Sequence, residues 1–129
     1  MFPPSSLNGF DVESAVERML GQPGLWWEAV GLFVAHFAEW ERDWLSVRGD
    51  DSAEQRKVHA LRSAAANVGA DRLSCAAAVL EELLLLRQQG KALQIPQSVR
   101  WYVQDCYREA WRAAADARGR EQLCAVGST

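Results

Sequence analysis

The chain has 129 residues, 49% hydrophobic and 24% charged, which suits one globular domain with a core of its own. A formal charge of −3 without any basic block argues against a nucleic-acid binder. The opening Met1-Phe2-Pro3-Pro4 lacks the charged start and apolar centre of a secretion signal, and no run approaches the roughly 18 apolar residues of a membrane span.

The patterning is helical throughout, with no useful stretch of period-two alternation. Asp11 is placed to cap a short first helix whose Val12, Ala15, Val16, Met19 and Leu20 share a face, and Gly21 ends it. Pro23 and Gly24 open a long second helix carrying the stripe Trp26, Val30, Phe33, Phe37, Trp40 and Trp44. That spacing assigns these tryptophans to a bundle core rather than to a ligand cage, while Trp27, Trp101 and Trp111 have no evident place. Arg48 to Ser52 reads as a turn, with Asp51 or Ser52 capping a third helix from about Ser52 to Val68.

Gly69-Ala70-Asp71 reverses the chain, and Asp71 is expected to cap a fourth helix that Gly90 closes. Leu73, Ala76, Leu80 and Leu84 share one side of it, and Val79, Leu83 and Leu86 another. The Leu83–Leu86 run therefore goes round the helix, either leaving an apolar patch for a partner or packing against the last helix. Pro96 fits the first turn of a fifth helix that runs to about Arg118, with Val99, Val103, Cys106, Ala110, Ala113 and Ala117 inward. Four long helices joined by short loops predict an all-α fold: an antiparallel up-down-up-down four-helix bundle with a short extra N-terminal helix. Residues 10–118 form the domain, with 1–9 and 119–129 as flexible ends. Lys57 is the misfit, falling on the inward side of the third helix, where its stem can line the core edge and its amine reach solvent.

Cys75, Cys106 and Cys124 have neither metal-ligand spacing nor neighbouring histidines, so zinc is not expected. They read as incidental thiols in a reducing, cytoplasmic setting.

His59 is the residue on which function turns. On a helix advancing about 100° per residue, Val58, Leu61, Ala64, Ala65 and Val68 lie away from it. Gln55, Arg56, Arg62, Ser63 and Ala66 lie within about 60° of it. The imidazole thus faces water or a partner, with low side chains beside it and two guanidinium groups in reach. An ordinary imidazole, with a pKa near ~6.5, offers a neutral nitrogen nucleophile at cellular pH. His36, beside Leu32, Glu39 and Asp43, reads as a surface or groove residue.

The run from His59 to Leu73 resembles the signature of histidine-containing phosphotransfer (HPt) domains. Leu61, Ala64, Ala65, Ala66, Asn67, Val68, Gly69, Ala70 and Leu73 stand at the family's offsets from the histidine. Leu80-Glu81 resembles a pair common on the family's next helix, and Leu32-Phe33 sits in what looks like the partner helix. Two positions depart from the pattern: Arg62 replaces the family's lysine and Ser63 its glycine. Arg62 keeps the charge but presents a planar fork, and Ser63 stays small enough for a partner to approach.

The resemblance implies that His59 is a phosphoacceptor, with Arg62, Ser63, Arg56, Gln55 and Ala66 orienting phosphate or docking a receiver. The implied partners are receiver domains of response regulators or hybrid sensor kinases, which bring the aspartate and the Mg²⁺. The chain itself then needs no cofactor and no metal, binds neither nucleic acid nor membrane, and works as a monomeric carrier rather than an enzyme. A competing reading is an HPt-like interaction module that docks a regulator without carrying phosphate. A stand-alone enzyme is disfavoured, because one histidine without a placed carboxylate offers no acid–base pair.

Overall fold

Two aspartates begin helices by turning a carboxylate onto the backbone ahead. Asp11 Oδ1 accepts from the amide of Ser14 at 3.2 Å and Asp50 Oδ1 from that of Ala53 at 3.1 Å. They open α1 (Val12–Arg18) and α4 (Asp51–Val68). The computed structural model describes residues 3–127, and side-chain surroundings through residue 121. Its other helices are α2 (Pro23–His36), α3 (Trp40–Ser46), α5 (Asp71–Gln88) and α6 (Gln97–Gly127).

The cap of α4 is Asp50 rather than Asp51 or Ser52, which leaves both of those free for other bonds. Asp51 receives a two-pronged contact from Arg87 of α5, 2.7 Å on each prong, and Ser52 Oγ accepts from Arg56 at 2.8 Å. Likewise Asp71 does not cap α5. Ala70 holds that position without a side-chain bond, and Asp71 sits in the first turn, where its charge faces the helix's unpaired amides. Between α4 and α5, Gly69 adopts φ +86°, and a Cβ there would lie 2.7 Å from the carbonyl oxygen of Asp11 and 2.9 Å from Ala15 Cβ. The close approach lets the amide of Asp11 donate to Gly69 O at 2.8 Å, seating α1 against the reversal.

The continuous second helix expected over Trp26–Trp44 is broken. α2 ends at His36 and α3 starts at Trp40, with neither proline nor glycine between them. The carbonyl of Phe37 at the break is taken by the Tyr107 hydroxyl of α6. The redirected α3 aims two indoles at α4: Trp40 Nε1 donates to Lys57 O at 2.9 Å and Trp44 Nε1 to Glu54 Oε2 at 3.0 Å. Their rings stack 4.9 Å apart.

A second difference is at the other end, where α6 passes through Arg118 and Gly119 and reaches Gly127. Arg118 and Glu121 both dock on Trp27: the guanidinium lies 5.0 Å over its ring, and the indole N–H donates to Glu121. Those contacts give the helix a reason to continue, and glycine in a helix costs only about 1 kcal/mol.

α4 packs on α5, α5 on α6, α6 on α2, and α2 back on α4. Along α4 and α5 the contacts run in opposite directions, Arg62 meeting Ser74, His59 meeting Glu81 and Asp51 meeting Arg87. Along α2 and α6 they do so too, Trp27 meeting Arg118, Val34 meeting Trp111 and Phe37 meeting Tyr107. Trp26, Val30, Trp44, Val58, Leu61, Ala65, Leu80, Leu84, Val103 and Ala114 fill the space between, each large side chain contributing about 1.5–3 kcal/mol by its burial.

Trp26, Trp40 and Trp44 are buried as expected, and so is Trp27; Trp111 is half-buried and Trp101 exposed. Leu84 is buried and Leu83, Leu85 and Leu86 half-buried, so the exposed apolar side chain of α5 is Val79 instead. On α6 Ala114 is buried while Ala113 is only half-buried, and Lys57 is half-buried at the edge of α4. Cys75 is exposed and Cys106 buried; the side chain of Cys124 lies outside the described residues.

Candidate functional site

α4 buries Glu54, Val58, Leu61, Ala65 and Val68 and so fixes which face remains outward. His59 stands in the middle of that face with 59% of its side chain exposed. Gln55, one turn earlier, is half-buried; Arg56, Arg62, Ser63 and Ala66 are exposed. The helix thus brings Gln55, His59 and Arg62 into one stripe. Arg56 instead bends back along the helix to Ser52. Ser63 and Ala66 stay low beside the ring, leaving its outer edge open.

The stripe converges on Glu81 of α5, 3% exposed. Its Oε2 lies 2.7 Å from His59 Nδ1 and 2.7 Å from Gln55 Nε2, and its Oε1 receives Arg62 Nη1 at 2.7 Å. Burial alone would raise the carboxyl's pKa, but the bonds from Arg62, Gln55 and His59 outweigh it and hold Glu81 below the usual glutamate range. Glu81 is therefore an ionised acceptor with no proton to give. It follows that in the neutral ring Nδ1 carries the proton and Nε2 the lone pair, on the side of the imidazole away from Glu81. A histidine oriented from behind by a carboxylate is the arrangement that fixes one tautomer.

On the α2 side of this face is a groove of about 170 Å³ lined by Leu32, Phe33, His36, Phe37, Ala64 and Asn67. Leu32 leaves 57% of its surface open there. His36 is exposed at its rim, as expected. Among the described residues no three His, Cys, Asp or Glu side chains gather closely enough to hold a metal ion.

The sequence model of the Hpt domain family matches residues 34–117, from the end of α2 through all of α3, α4 and α5 and into α6. The chain belongs to the Hpt domain family. No curated protein and no solved structure matches it. Hpt domains are helical bundles that serve as phosphocarrier modules and interact with receiver domains of response regulators, so this Hpt chain has a histidine-phosphotransfer role in phosphorelay signalling. No helix among the described residues of this Hpt domain is long and apolar enough to cross a membrane.

Glu81 carries the geometry of the site, yet from the sequence it was only half of a family-like Leu-Glu pair, with no task. The available signal was a carboxylate in the middle of the buried face of α5, between Ala77 and Leu84. Glu54 was missed on the same ground. It is fully buried on α4, receives Arg100 through two bonds of 2.9 Å and one from Trp44, and ties α3, α4 and α6 together away from the imidazole.

Proposed function

We propose that His59 accepts a phosphoryl group on Nε2 from the aspartyl phosphate of a receiver domain, in a response regulator or a hybrid sensor kinase, and passes it to a second receiver. One observation carries this reading: an exposed imidazole whose Nδ1 is tied to a buried ionised carboxylate, so that its lone pair faces outward. In the forward step the Nε2 lone pair forms the N–P bond as the bond from phosphorus to the aspartyl oxygen breaks. The electron pair leaves with the aspartate carboxylate. The ring keeps its Nδ1 proton and becomes cationic, and Glu81 stands against that charge. Phosphoryl transfer asks mainly for in-line access and neutralisation, and the partner supplies the rest, including Mg²⁺. We assign no cofactor to this chain, which acts as carrier rather than enzyme.

The same reading gives the other helices their place. The bundle is an up-down-up-down set of four legs, with α2 and α3 sharing one leg and α1 as an extra helix at the end. Arg62 and Arg56 meet the partner's acidic rim, Ser63 and Ala66 let it approach, and the groove beside Leu32 takes its apolar part. The carrier works in the cytoplasm as a monomer.

Incubating the purified chain with a phosphorylated receiver and Mg²⁺ tests the proposal. Acid-labile label should appear on the native chain and be absent from His59→Gln; label on His59→Gln would place the acceptor elsewhere. Arg62, already engaged by Glu81, is the feature that keeps the docking-module reading open. Receiver binding unchanged by His59→Ala, with no transfer from any donor, would select that reading.

A further inference from the structure

Glu81 is held by donors that do not behave alike once phosphate is present. Gln55, His59 and Arg62 sit at positions i, i+4 and i+7 of α4, so all reach the same carboxylate from one stripe. Arg62 is charged, with 48% of its side chain exposed. A phosphoryl group on Nε2 would bring nearly two negative charges and three acceptor oxygens within a turn of it, and guanidinium–phosphate bonds are among the strongest available. Gln55 is different: neutral, half-buried, unable to titrate, and bonded to the same oxygen of Glu81 that His59 uses. Because that oxygen can only accept, the amide nitrogen of Gln55 must face it.

We propose that Gln55 is a positioning residue, one that holds Glu81 Oε2 against His59 Nδ1 and keeps it there when Arg62 turns to the phosphoryl oxygens. This rests on the carrier reading for its second half only; the first half concerns the resting protein. With Gln55 removed, Glu81 can rotate after Arg62 and leave the ring without its acceptor at the moment the imidazole becomes cationic. The sequence placed Gln55 at the docking surface, whereas its amide turns inward to α5.

The test is Gln55→Met, close in volume and lacking the donor, in protein carrying ¹⁵N-labelled histidine. The native ring should show a protonated Nδ1 and an unprotonated Nε2. In Gln55→Met the two nitrogen shifts should move toward the mixed pattern of imidazole in water, and labelling from a phosphorylated receiver should slow about 3- to 10-fold, the worth of one ordinary hydrogen bond. Gln55→Lys, which restores a donor, should recover the native shifts in the unphosphorylated protein. A merely structural role would alter the melting temperature and leave the ring shifts alone.

Native shifts and a native rate in Gln55→Met would overturn the inference, as would a Gln55→Lys ring no closer to native than the methionine variant. Should Gln55→Met not fold, Gln55→Asn, whose amide is one methylene short of Glu81, gives the same readout with the same expected direction. The shifts are measured without any phosphodonor. A failure of the carrier proposal, which would show as no labelling of native protein, is thereby separate from a failure of this one.

Discussion

The transfer proposed for His59 depends on which ring nitrogen is free, and Glu81, bonded to Nδ1, favours Nε2. Replacing Glu81 by glutamine keeps the shape but removes the charge, and the new amide nitrogen cannot accept from Arg62, Gln55 or Nδ1. A charge-assisted bond is worth about 1.5–3 kcal/mol, so Glu81→Gln should lower the initial rate of His59 labelling by about 10- to 100-fold, measured against a phosphorylated receiver with Mg²⁺. An unchanged rate would mean that the buried carboxylate does not stabilise the cationic ring. The outward position of His59 was legible because its neighbours on α4 sort cleanly by angle into apolar and small or hydrophilic sets. Its tautomer was not, since the acceptor comes from a different helix 22 residues away.

At the scale of the element, periodicity marked the buried stripes well and helix boundaries less well. The stripe from Trp26 to Trp44 was correctly inward, but the break after His36 rests on a hydroxyl from α6 meeting the Phe37 carbonyl, and nothing in the local sequence announces that contact. The turn at Gly69 is the opposite case: a glycine after an apolar run signals a left-handed residue, and φ is +86° there. The structure adds that the missing Cβ also makes room for Asp11 and Ala15 of the α1 region. Gly69→Ala therefore meets both a strained backbone, about 1–2 kcal/mol, and an overpacked contact, about 1–3 kcal/mol. We expect a loss of about 2–5 kcal/mol in denaturant unfolding, the sum of those two costs. A loss below about 1 kcal/mol, the typical effect of a point mutation, would show that α1 is not seated tightly on the reversal.

For the molecule as a whole, the ring of helices was readable because each leg carries its own apolar stripe, whereas the charged ties between legs were not. Asp51 to Arg87, Glu41 to Arg108 and Glu81 to Arg62 join residues 36, 67 and 19 positions apart, and no spacing rule reaches that far. These ties set how stability depends on pH. Bonds from Arg87 hold Asp51 below its ordinary range, bonds from Arg108 do the same for Glu41, and at Glu81 the donors overcome the opposing effect of burial. A carboxylate depressed in the folded state contributes stability that is complete above its unfolded pKa, about 4, and disappears as pH falls through the folded value. Tyr107 works at the other end. Burial, with help from Glu41 and Glu39, pushes its hydroxyl up to about 12, so its contribution is complete below about pH 10 and is lost as pH rises toward the folded value. The urea midpoint should therefore be level from about pH 5 to 9 and fall on both sides. A midpoint at pH 3 equal to that at pH 7 would show that the interhelical carboxylates do not stabilise the bundle, and with them would go the claim that Glu81 is held ionised by its donors.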